Sequence, residues 1–222
     1  MRSPLQTPIV FCAGPIPITE PVVVTWGIMF VMVAGAFLAR RRLTLRPGNG
    51  QAMLELAIET IHRQLSDAMG VDATRYFPLL ATLFLYLLVA NLCGMVPGIT
   101  PPTAFVQTPA ALALIVFFAV HYYGVRSMGL AGYLKSFAKP TVLMLPLNVV
   151  GQITRTFSLM VRLFGNIMSG EFMIGIILAF AGLFLPIPLL ALEIVVGVVQ
   201  AYIFTVLAAV FIAAGVGAVE AG

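Results

Sequence analysis

The sequence predicts an all-α integral membrane protein. It should have about five membrane helices, one amphipathic surface helix, and a last pair of helices long enough to form a slanted hairpin. Three observations carry this. The 222 residues are 61% apolar and 9% charged, against about 45–50% and roughly 25% in soluble domains. Apolar runs recur at or above the ~20 residues that a helix needs to cross a bilayer core. Arginine and lysine collect in alternate connections, as they do on the cytoplasmic side of membrane proteins.

Residues 1–21 are expected to be an irregular outer leader. Pro4, Pro8, Pro15, Pro17 and Pro21 interrupt any apolar helix there, which also argues against a signal peptide. The first span covers 22–39 and is closed by Arg40, Arg41 and Arg42, with Arg46 just beyond. Residues 51–69 form a cytoplasmic amphipathic helix. Leu54, Ile58, Ile61, Leu65 and Ala68 follow helical spacing, while Glu55, Glu59, His62, Arg63 and Asp67 fall mainly elsewhere. Such a helix lies in the membrane interface or docks on a partner, and both readings stay open.

Spans two and three occupy 76–124. The second, 76–96, ends at Pro97, and the GITPPT turn leads into the third, 104–124. The slanted hairpin covers 141–218, as segments 141–181 and 186–218. At 1.5 Å per residue each makes a helix of roughly 50–60 Å, against a hydrocarbon core of about 30 Å. A steeply oblique pair resolves the mismatch.

The loops give orientation. Residues 40–50 carry four arginines, and 125–140 carry Arg126, Lys135 and Lys139, while 97–103 and 182–188 carry no charge. Positive loops stay cytoplasmic, so the N-terminus is outside and the C-terminus inside. The chain reads as one membrane domain, 1–222, without internal repeat or linker. The net charge of +4 belongs to these loops and is not a nucleic-acid signal. Cys12 and Cys93 form no CxxC or Cys/His pair, which leaves a metal site without support.

A charge within a spanning helix is a functional hypothesis by default. Arg162, Glu171 and Glu193 stand out, accompanied by Asn166 and Gln200. At 100° per residue, with Arg162 at zero, Asn166 lies near +40°, Ser158 near −40°, Ser169 near −20° and Arg155 near +20°. These make one polar stripe. Glu171 falls on the opposite side and cannot pair with Arg162 along the helix. With the hairpin turn at Gly182, ahead of Pro186 and Pro188, Arg162 levels with Gln200 and Glu171 with Glu193.

Two polar layers result. Arginine stays protonated and cannot relay protons, but it holds a fixed field that attracts a carboxylate. Gln200 can accept from its guanidinium. The two carboxyls can titrate together and pass protons if water reaches them from outside. No carboxylate of this chain lies on Arg162's face at its depth, so its partner should belong to another subunit. Simpler structural roles exist for the others. Arg155 can lock the bundle or snorkel, Asn166 and Gln200 can join helices, and His121, beside Tyr122 and Tyr123, suits an interfacial belt.

The run RLFGN followed by SGE resembles the signature of subunit a of F-type ATP synthase. Gln200 in VVQAYIFTVL, NLCGMVP at 91–97 and PPTA at 101–104 match further parts of that pattern in order, over most of 76–212. The resemblance implies the stator ion channel of a rotary ATP synthase in a bacterial inner membrane. Its partners would be a ring of c subunits, the peripheral-stalk b subunits and the lipid bilayer. H⁺ or Na⁺ would flow through two half-channels and turn the ring. Arg162 would separate the half-channels. Asn166 and Gln200 would line the site, and Glu171 and Glu193 would belong to the outer half-channel. The subunit would need no cofactor and perform no ATP chemistry itself. Many relatives carry an acidic residue roughly three to four helical turns before the arginine; here that region reads NVVGQIT. Asn148, Gln152, Arg155, Ser158 and Ser169 are therefore possible secondary channel lining.

The alternative is a self-contained ion-coupled secondary transporter, but the repeated halves and broken helices common there do not show. An intramembrane hydrolase finds neither HExxH nor a GxSG nucleophile motif.

Overall fold

A computed structural model describes residues 9–13, 16–42, 48–94, 100–137, 144–181 and 186–217. Six α-helices account for nearly all of them: α1 (Glu20–Arg42), α2 (Asn49–Met69), α3 (Phe77–Cys93), α4 (Gln107–Phe137), α5 (Met144–Ala181) and α6 (Pro186–Val216). Helices α1, α4, α5 and α6 are long and apolar enough to cross a membrane, and α3 is a shorter apolar helix. The expected all-helical membrane architecture is therefore present.

Its organising element is α6, which touches α2, α3, α4 and α5. The reason is side-chain size. Ala201, Ala208, Ala209 and Ala213 are buried along it, and small residues let helix backbones approach closely in lipid. Phe204 and Ile212 fill the intervening space against Leu80, Leu83 and Leu87 of α3 and Leu112, Val116 and Val120 of α4. In contrast, among its described residues α5 buries only Leu159 and Leu163. The rest of this 38-residue helix presents a broad exposed side.

Several boundaries differ from the sequence reading. The leader, expected to be irregular, contains an antiparallel hairpin of β1 (Ile9–Ala13) and β2 (Ile16–Thr19). β-branched isoleucines favour extended backbone, and a two-stranded ribbon consists only of edges, where Pro17 is tolerated. The loop expected at 125–140 is largely helical. The α4 helix runs on to Phe137 and breaks at Gly129, whose φ of 74° suits glycine. The hairpin turn expected at Gly182 lies outside the described residues.

The surface helix α2 also makes contacts within the chain. Its C-terminal half docks on the chain's own bundle, where Leu65 and Met69 are buried and α6 and α3 are the neighbours. A tight corner then leads into α3. Asp72 accepts from the Thr74 amide at 3.0 Å and its hydroxyl at 2.6 Å. The side-chain hydrogen bond first, then the backbone one, holds the Asp72 carboxyl below its ordinary range. Any contribution from this exposed cap is present above the ordinary aspartate value and fades as pH falls through the lowered one.

At the other end of α4, the segment after Gly129 folds back. Tyr133 lies over Gly124, beside the Gly215 carbonyl of α6. A Cβ on Gly124 would come within 2.7 Å of that carbonyl oxygen, a backbone atom that cannot swing aside. Gly124→Val should therefore destabilise the protein by about 1–3 kcal/mol, read as a lower melting temperature in detergent. An unchanged melting temperature would contradict this packing.

Candidate functional site

Polar residues of α5 and α6 meet between the C-terminal half of α5 and the N-terminal half of α6. Asn166 Nδ2 donates to Gln200 Oε1 at 3.3 Å, joining the two helices. The sequence levelled Gln200 with Arg162. In the structure its oxygen accepts from Asn166, one helical turn along α5 from Arg162. Gln200 is buried at 5% exposure, and its Nε2 has no hydrogen-bond partner among the described residues. A buried, unspent donor is costly, and it suits a water or an incoming acceptor.

Glu171 and Glu193 do come together. Both line a small cavity of about 70 Å³, with Asn91, Gly94, Pro101, Asn166, Ile167, Val196 and Gly197. That volume holds a few waters at most. The Glu193 carboxyl presses against Gly170, where no side chain keeps it away from α5.

Arg162 stands apart. Its side chain is exposed, and it makes no hydrogen bond or ion pair among the described residues. Ser158 and Ser169 share that exposed side. So does Arg155, whose guanidinium sits 5.7 Å from the Phe211 ring centroid on α6. Gln152 is half-buried and its carbonyl accepts from Thr156 Oγ1 at 3.0 Å, while Asn148 is exposed. His121 is drawn into an aromatic cluster. Its Nδ1 lies 2.7 Å from the Phe117 carbonyl, and its ring stands near Phe117 and Tyr133.

The structure adds two residues that the sequence reading passed over. Asn91 of α3 forms a third wall of the cavity and donates from Nδ2 to the Gly197 carbonyl at 2.9 Å. Thr103, fully buried in the 102–104 turn, donates to Asn91 Oδ1 at 3.2 Å. Together they tie the connection after α3 to α6, one turn beyond Glu193. The signal was there: an amide in an apolar span, read by the rule applied to Asn166.

These features define a membrane protein with a small polar cavity between long apolar helices and two arginines on an exposed side of one of them. The ATP synthase A chain family matches residues 22–213. A protein named ATP synthase subunit a 2 from Bradyrhizobium sp. (strain BTAi1) is 58% identical over 220 residues, covering 99% of each chain. A second of that name from Pelobacter propionicus is 46% identical over 97% of this chain and 94% of its own. ATP synthase subunit a 1 from Hahella chejuensis is 46% identical over 96% and 91%. The chain belongs to the ATP synthase A chain family. Family and apolar helices together make it a membrane subunit of an ATP synthase, in complex with other membrane-sector subunits.

The contact at Gly170 has a direct consequence. Alanine is better than glycine within a helix by about 1 kcal/mol, and only the flexible end of Glu193 stands in the way. Gly170→Ala should keep the melting temperature at or above that of the unsubstituted protein. It should also change the rate at which an apolar carbodiimide labels Glu193. An unaltered rate would mean that the carboxyl does not rest there.

Proposed function

We propose that this chain is the stationary ion path of a rotary ATP synthase, with Arg162 separating two half-channels. One observation carries the reading. A permanently charged side chain sits midway along an apolar helix, is exposed, and has no carboxylate partner among the described residues. An arginine at the centre of a membrane helix costs about 2.5–3.5 kcal/mol on insertion scales. A negative group from another subunit offsets that cost.

The mechanism follows from fixed charge. A ring of c subunits brings one carboxylate after another past α5. Arg162 attracts each arriving carboxylate and favours its ionised form, so the carboxylate gives up its H⁺ or Na⁺. The same positive charge repels ions that would cross directly between the half-channels. They must instead travel round with the ring, and ion flow becomes rotation. A potential of 100 mV supplies about 2.3 kcal/mol for each charge carried across.

On the outer side, Glu171, Glu193, Asn166 and Asn91 surround the small cavity and would pass ions to the ring. Gln200, hydrogen-bonded to Asn166, would offer its unspent Nε2 toward that route. The peripheral-stalk b subunits would hold the chain still. The setting is a bacterial inner membrane, with the N-terminus outside and the C-terminus cytoplasmic.

Replacing Arg162 with alanine in the assembled complex tests the reading. Gradient-driven ATP synthesis in liposomes should fall to background. Synthesis at the unsubstituted rate would refute the role.

A further inference from the structure

The cytoplasmic half of the hairpin has an unusual charge balance. Among its described residues, α5 carries no acid before Glu171 and α6 none after Glu193. Its one ionised side chain besides Arg162 is Arg155. Seven residues separate the two, about 10 Å along the helix at 1.5 Å each, and about 20° in phase. Arg155 thus shares Arg162's side of α5, displaced toward the cytoplasm.

A snorkelling arginine would send its head group out to water. Arg155 instead lies over the Phe211 ring at 5.7 Å, within the ~6 Å of a cation–π contact. That contact fixes the charge beside the α5–α6 seam while leaving the side chain exposed. Other groups do not neutralise it. On α6 the titratable side chain of this half is Tyr202. On α4, which also packs on α5, His121 is held at Phe117, and Arg126 donates to Tyr122 Oη at 2.7 Å.

We propose that Arg155 is a second fixed cation on the ring-facing side, positioned by Phe211, that loosens the ring carboxylate's hold on its ion at the cytoplasmic exit. The inference rests on the rotary reading above and goes beyond it. A positive charge near the exit disfavours the loaded, neutral carboxylate. Release to the cytoplasm then needs no relay acid on this chain, which fits a sequence with Asn148 and Gln152 in that region. A unit charge about 10 Å away at an effective dielectric of ~20 suffices for an effect of about tenfold.

The test uses the whole ATP synthase in liposomes, pumping at the expense of ATP, with the coupling ion varied on the side that corresponds to the cytoplasm. Removing the cation makes the carboxylate bind its ion more tightly. For Arg155→Gln the half-saturating ion concentration should fall about tenfold; with protons, the half-maximal pH rises by about one unit. Arg155→Lys should stay within about twofold of the unsubstituted enzyme, since it keeps the charge. Phe211→Leu, which keeps the charge but frees it, should shift in the same direction by less and serves if the glutamine variant fails to assemble. Unchanged ion dependence in Arg155→Gln, or in Phe211→Leu where that variant stands in, overturns the proposal. Arg162→Ala run alongside separates the two claims: if it abolishes coupling while the Arg155 series shows no shift, only the second cation is wrong.

Discussion

The rotary reading depends on one constraint, a charge in the middle of an apolar helix with no counter-charge among the described residues. Arg162 lies midway along an exposed apolar helix, and no acid among the described residues pairs with it. A guanidinium cannot shed its proton to escape the cost. Under the rotary reading, a carboxylate from a neighbouring subunit supplies the counter-charge.

The bundle supplies the rigidity that this demands. A long helix that buries only Leu159 and Leu163 cannot hold a charge in place unaided. The alanines of α6 bring backbones close, so α6 packs tightly on α3 and α4 and gives α5 a firm back. The polar contacts sit where apolar packing alone would let helices slide. Asn166 with Gln200 fixes α5 against α6. Asn91 with Thr103 and the Gly197 carbonyl fixes α6 against α3 and its following turn. Thr25 and Tyr86 hydroxyls, 3.2 Å apart, join α1 to α3. Interhelical hydrogen bonds in lipid average well under 2 kcal/mol each, so register rather than bulk stability is their contribution.

Much of this was legible in the sequence because membranes simplify the problem. Length and apolarity alone fix spanning helices, and prolines and arginines mark where they end. The depth match of Glu171 with Glu193 followed from counting outward from one turn, since a helical hairpin has a constant rise. The same counting left Gln200 two residues from level with both Arg162 and Asn166, and packing makes Asn166 its hydrogen-bond partner. Asn91 was overlooked because its partners come from far along the chain: a backbone carbonyl at Gly197 and a threonine in a turn. The helical stretch after Gly129 was hidden by its charges, which read as loop, while Tyr133 and its glycine notch held it folded. The proposal that α5 faces a ring rests on the family resemblance. One chain contains half of that interface.

The most direct measurement is a side-chain-resolution density map of the intact membrane complex. The account predicts a carboxylate from a neighbouring polypeptide within about 4 Å of the Arg162 guanidinium, the range of an ion pair, in at least one rotational state. A guanidinium bonded entirely to carbonyls of its own chain, with no foreign acid in reach in any state, would contradict it.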